Sequence, residues 1–149
     1  MLKTRLSIPL LLALTLPAFA FPASATASDT PATAETPAAR AYIISPRDGD
    51  VVTSPVRVQF GLEGAGVAPA GVEKTNTGHH HLLINVAELP DLDRPIPADD
   101  NHRHFGGGQT EVMLELAPGE HSLQLLLGDH LHVPLKPVVA SEKITIRVK

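Results

Sequence analysis

The hydrophobic residues of this chain fall into short runs that glycine, proline and aspartate separate. Within residues 56–62 and 144–148 the apolar residues occupy every second position, which is typical of a strand with one buried face. Residues 80–86 are apolar on both faces, as in a central strand. Six such runs occur: residues 41–44, 56–62, 80–86, 110–116, 121–127 and 144–148. None has the length or period of a helix, so the pattern predicts an all-β domain.

Several short strands with frequent turn signals favour an immunoglobulin-like Greek-key β-sandwich, and a small β-barrel is the alternative. A further short strand is expected after Val86. Pro118-Gly119 predicts a tight turn that joins the runs on either side of it in a hairpin. The chain has no tryptophan and no cysteine, so the prediction concerns the architecture and not the antibody family.

The N-terminus has the layout of a secretory signal peptide. Lys3 and Arg5 precede an apolar run over residues 6–16, and Ala18-Phe19-Ala20 follows it. We expect cleavage after Ala20, with Ala25 as the alternative site. The run is too short to span a bilayer as a helix, so no retained membrane span is expected. These features predict a periplasmic or secreted bacterial protein.

A change of composition divides the remaining chain. Residues 21–40 are almost entirely Ala, Pro, Thr and Ser and lack the large apolar side chains that would offset the entropy of ordering them. We interpret them as a disordered linker. Residues 41–149 then form one β-sandwich domain of ordinary size.

Charge and cysteine content exclude several classes of function. Loss of Lys3 and Arg5 with the signal leaves ten basic against sixteen acidic residues, a net charge of −6. An acidic chain without a basic run is a poor partner for nucleic acid. Without cysteine there is neither a disulfide nor a thiolate metal site. A metal ion would therefore need nitrogen or oxygen ligands.

Histidine is the residue type that indicates a functional site in this chain. Seven of the eight histidines lie in three clusters, each with a His-x-His pair. In an extended chain, residues two apart point to the same side about 6.5–7 Å apart, so both imidazoles can reach one ion. The predicted metal ligands are His79, His81, His102, His104, His130 and His132.

The predicted sandwich suggests how these clusters meet. They fall at the start of the third strand, between the fourth and fifth, and after the sixth, and those connections emerge at one end of the sandwich. His121 is expected at the opposite end. His80 shares a face with Leu82 and Ile84, so we interpret it as a hydrogen-bonded core residue rather than a ligand.

Imidazole nitrogens bind Cu(II) and Zn(II) well, and these are the predicted ions. Asp100, Glu111 and Asp129 flank the clusters and are candidate partners for orienting an imidazole. The predicted function is a module that captures or buffers metal, with an envelope protein as a further candidate partner.

Three alternatives remain open: a non-catalytic protein- or glycan-binding module, a pH-responsive histidine cluster, and a histidine-ligated metalloenzyme. No nucleophile motif supports catalysis, so the sequence favours a non-enzymatic role without excluding an enzyme.

Four segments together carry a resemblance to a known family: GHHHLLIN, PIPADDNHRHFGGGQTE, LAPGEHSLQLLLGDHLHVP and VVASEKITI. They resemble a family of exported bacterial domains, domain of unknown function 4399, over about residues 42–148. The resemblance implies no activity. The chain also resembles periplasmic immunoglobulin-like copper carriers in size and histidine use. It resembles copper-zinc superoxide dismutases in its His-x-His pairs, but the disulfide usual in those enzymes cannot form here.

Overall fold

The computed structural model describes residues 38–149. The predicted signal peptide (residues 1–20) and residues 21–37 of the predicted linker lie outside the described residues. This part of the chain forms strands without a helix, and so contains no helix that could cross a membrane. The strands are β1 (Arg40–Ser45), β2 (Val51–Val52), β3 (Val56–Glu63), β4 (Gly66–Val67), β5 (Thr77–Ile84), β6 (His102–His104), β7 (Glu111–Leu114), β8 (Gly119–Gly128) and β9 (Ile144–Val148).

The strands form two sheets that pack face to face. One has the order β1-β3-β7, and the other has the order β2-β9-β8-β5-β4 with β6 also paired to β5. Neither sheet closes on itself over residues 38–149, so the described domain is a β-sandwich, as predicted, and not the alternative barrel. The six main runs recognised in the sequence correspond to β1, β3, β5, β7, β8 and β9.

Three local expectations were wrong. No strand forms between Ile84 and His102, where a further short strand was expected after Val86. The turn at Pro118-Gly119 does not close a hairpin, because β7 pairs with β3 whereas β8 pairs with β5 and β9. A turn signal marks a change of direction but does not specify which strand the chain meets next. The second histidine cluster is not in a loop, because residues 102–104 form β6 and pair with β5.

Strand β5 separates two apolar clusters. Leu82 and Ile84 point into the main core between the sheets. Leu83 points to the outer face of the six-stranded sheet, where it packs with Ile96 and Leu126 under the loops that cover that face. Because successive side chains along β5 point to opposite faces, residues 79, 81 and 83 lie on the outer face, and residues 80, 82 and 84 face the core.

His80 lies in the main core, as predicted. It is fully buried, and its ring centroid lies 5.2 Å from that of Phe60. The expected hydrogen bonds are absent, because neither ring nitrogen has a partner among the described residues. Burial lowers the pKa of His80, and the nearby Gln109 backbone, which does not have the geometry of a hydrogen bond to the ring, opposes that shift to a smaller extent. The ring is therefore neutral at pH 7.

Because both polar atoms of His80 are buried without partners, His80→Leu is expected to stabilise the fold, by about 1–2 kcal/mol. Urea denaturation measures the change. His121→Leu is the matched control, since that imidazole contacts Asn85 and the Ala117 carbonyl at 3.0 and 2.9 Å and its loss should destabilise. A destabilised His80→Leu protein would show that the imidazole makes a favourable interaction.

Candidate metal centre

The centre begins with the outer face of β5. His79 and His81 project from this face two residues apart, and both are fully buried. Strand β5 pairs with β8 along one edge and with β6 along the other. Backbone hydrogen bonds hold β5 on both sides, so the two imidazoles sit on an interior strand of the sheet.

Strand β6 adds a third imidazole. His104 lies directly opposite His81 in the antiparallel pair, and such cross-strand neighbours point to the same face about 5 Å apart. Its ring packs over the backbone of Gly106, where a β-carbon would come within 2.4 Å of the imidazole. A glycine at this position therefore gives the His104 ring the space to turn toward β5.

The loop after β8 supplies the fourth imidazole. His132 has a φ of 70°, a left-handed conformation that side chains other than glycine seldom adopt. The Asp129 carboxylate stabilises the conformation of this loop, because its Oδ1 accepts hydrogen bonds from the N–H groups of Leu131 and Val133 at 2.8 and 2.9 Å. The Asp129 carbonyl accepts the His132 N–H at 2.9 Å.

The segment between β4 and β5 ties the two outer loops together. The Ala70 N–H donates to the Gly106 carbonyl (2.8 Å), and the Gly71 N–H donates to the His130 carbonyl (3.0 Å). One short stretch of backbone therefore contacts both the loop beside His104 and the loop that carries His132.

The four rings meet on this face. The ring centroids lie 4.7–5.0 Å apart for every pair except His81 and His132, which are 6.1 Å apart. One nitrogen each of His79, His81 and His104 lies within 4.8 Å of the others, and the Nε2 atoms of His79 and His81 are 3.1 Å apart. This group of three histidines has the spacing and chemistry of a metal site.

The protonation states of these histidines also suit the binding of a metal cation. Burial, and then the charges of neighbouring imidazoles, lower the pKa of His79 to about 4 and that of His81 to about 3. Burial and His132 lower the pKa of His104. The imidazoles of these three residues are therefore neutral at pH 7, with nitrogen lone pairs available. The Nδ1 atoms of His79 and His81 are buried without a hydrogen-bond partner in the part of the chain that the structure describes.

The remaining predicted ligands lie beside the centre. His102 is two residue pairs further along, opposite Leu83, and its Nδ1 donates to Asp99 at 2.9 Å. That hydrogen bond, followed by two backbone N–H groups, lowers the pKa of Asp99. His130 is half-buried in the same loop as His132, but its ring is not in contact with the four-ring cluster formed by the described histidines.

The three candidate orienting carboxylates have different surroundings. Asp129 is close enough to raise the pKa of His79, although burial outweighs that effect. Glu111 belongs to the three-stranded sheet, where it pairs with Arg57 at 2.6 Å. Asp100 is exposed. His121 lies near the start of β8, at the other end of this strand from Gly128, which pairs with His79.

Sequence reasoning did not identify Gly128 as a residue that makes room for the rings, although a β-carbon there would lie 3.0 Å from His81 Nε2. Asp99 was missed as the partner of His102, although an aspartate three residues before a histidine was a readable signal.

Comparison with known proteins identifies the family but not the function. The sequence profile of DUF4399, described as a domain of unknown function, matches residues 58–149. The chain belongs to the DUF4399 family. All four converging histidines of this DUF4399 domain fall within the matched region. No curated protein and no solved structure matches the chain significantly.

The lowered pKa values predict how the metal-free protein responds to acid. Because the unfolded chain binds protons near the ordinary value of 6.5 while folded His79 and His81 resist them down to about 4 and 3, stability is greatest above pH 6.5. It should fall by a few kcal/mol as the pH decreases toward 3.

Chemical denaturation in the presence of a chelator, at intervals from pH 7.5 to 4.5, measures this dependence. The double variant His79→Gln, His81→Gln removes both groups and should give a flatter profile over that range. Equal slopes for the two proteins would show that the buried imidazoles do not control the acid response.

Proposed function

We propose that this protein is an exported metal-binding module that captures or buffers Cu(II) or Zn(II). Export rests on the signal-like N-terminal sequence, which predicts a periplasmic or secreted location. Metal binding rests on the three-histidine group of His79, His81 and His104, with His132 beside it.

The observation that carries the proposal is the burial of neutral imidazoles with their nitrogens turned toward one another. Buried polar groups are normally satisfied by hydrogen bonds. The Nε2 atoms of His79 and His81 lie 3.1 Å apart and form a hydrogen bond with each other. Both residues are fully buried. A cation bound between these nitrogens would replace this single hydrogen bond with two coordinate bonds and recruit His104 as a third ligand.

The donor set supports copper or zinc. A site made only of imidazole nitrogens suits late divalent first-row ions, and intrinsic affinity rises from Ni(II) to Cu(II) and falls again at Zn(II). A hard ion such as Ca²⁺ or Mg²⁺ prefers oxygen ligands, and no carboxylate belongs to the three-histidine group. Cu(II) should therefore bind more tightly than Zn(II) in direct competition.

Isothermal titration of the tag-free protein with Cu(II) and with Zn(II) tests the proposal. We expect one equivalent of either ion to bind, and the double variant His79→Ala, His81→Ala to lose at least about 100-fold in affinity. His121→Ala is the matched control and should bind as the wild type does, because His121 contacts Asn85 and Ala117. Absence of binding by the intact protein would favour the protein- or glycan-binding alternative.

Two adjacent glycines provide a test in which no histidine is substituted. A β-carbon at Gly106 would lie 2.4 Å from the His104 ring, whereas one at Gly107 would contact only the flexible Gln109 side chain at 3.0 Å. Gly106→Ala should therefore displace His104 and weaken metal binding about 10–100-fold. Gly107→Ala should leave the affinity unchanged, and equal affinities in the two variants would remove His104 from the ligand set.

A further inference from the structure

We propose, on the basis of the proposed metal site, that His132 is an exchangeable fourth ligand, and that a nitrogen or anionic donor from outside replaces it at the ion. His79, His81 and His104 would keep the ion in place during this exchange. The four imidazoles would then have two different roles, which the surroundings of each ring support.

The three retained ligands are held by the sheet. His79 and His81 project from one strand, and His104 faces His81 across a strand pair. The His104 ring is additionally packed over Gly106. Movement of the buried His79 or His81 ring away from the centre would require a change in strand pairing or a rotamer change in a confined space. The His104 ring is exposed, and its strand pair and its position over Gly106 hold it.

His132 is held by a loop and not by a strand pair. It lies after β8, outside any strand, where its N–H donates to the Asp129 carbonyl and its carbonyl accepts the Ile96 N–H, both at 2.9 Å. Its ring is 6.1 Å from that of His81, and its nitrogens are not part of the group in which every ligand atom lies within 4.8 Å of the others. Its ring does lie 4.7 and 5.0 Å from those of His104 and His79, so His132 borders the three-histidine group without belonging to it.

The backbone conformation of His132 also supports an exchangeable role for this ligand. A φ of 70° costs a residue other than glycine or asparagine on the order of 1 kcal/mol. The Asp129 carboxylate holds the loop in this shape through the N–H groups of Leu131 and Val133. This conformation brings the His132 ring to the centre. A change in the loop backbone that moved His132 away would relieve the strain but would break the hydrogen bonds that Asp129 and Ile96 make with the loop.

The buried ligands also lack the partners that usually make a metal site tight. A ligating histidine normally donates its second N–H to a carboxylate or carbonyl group, and loss of such a partner weakens binding 10–100-fold. Among residues 38–149, no group accepts a hydrogen bond from the Nδ1 atoms of His79 and His81. A neutral ligand set without these supports suits an ion that is exchanged rather than one that is retained permanently.

Electron paramagnetic resonance and visible absorption of the Cu(II)-loaded protein test the assignment. The variants are His132→Gly, His104→Gly and, as the control, His121→Gly, each checked for its fold by circular dichroism. We expect His132→Gly to keep one equivalent of Cu(II) with an altered spectrum, and added imidazole to restore the wild-type spectrum. His104→Gly should lose most of the bound ion, and His121→Gly should match the wild type.

Azide titration then measures exchange directly. Azide should bind the Cu(II)-loaded His132→Gly protein at least tenfold more tightly than the wild type, because the position is already open. A wild-type spectrum in His132→Gly would show that His132 is not a ligand. Loss of copper as complete as in His104→Gly would show that His132 is permanent. Either result overturns this inference, whereas a wild-type protein that binds no Cu(II) overturns the proposed function itself.

Discussion

The candidate centre depends on the antiparallel pairing of β5 with its neighbours. The register aligns His81 with His104 on one side and with Leu126 on the other. Because side chains alternate across a strand, a shift of one residue would move His79 and His81 into the core and His80 to the outer face. The apolar residues that follow on β5 oppose such a shift, since Leu82 and Ile84 fill the main core.

Burial gives these histidines their chemical character. His79, His80 and His81 are all fully buried, so the low-dielectric surroundings keep them neutral and leave lone pairs free at neutral pH. The two faces of β5 nevertheless differ. His80 packs against Phe60 in the apolar core, whereas His79 and His81 meet other imidazoles. Three consecutive residues of one type thus have two different environments.

Much of the fold could be predicted from the sequence, because alternation and turn residues are local signals. The main strands were recognised for this reason. The pairing of β7 with β3 instead of β8 could not be read from the turn at Pro118-Gly119, since the choice of partner depends on how the two sheets pack. The short strands β2 and β4, of two residues each, carry too little pattern to be recognised.

By itself the sequence determined an all-β domain, the absence of thiolate ligands and a set of six candidate histidines, because residue type and period-two alternation are properties of the chain. Only the tertiary structure decided that His79, His81, His104 and His132 meet, while His102 pairs with Asp99 and the His130 ring is not among the rings that meet. The physical reason is that convergence depends on strand register, on loop conformation and on the space above Gly106. Each of these arises from contacts between residues far apart in the chain.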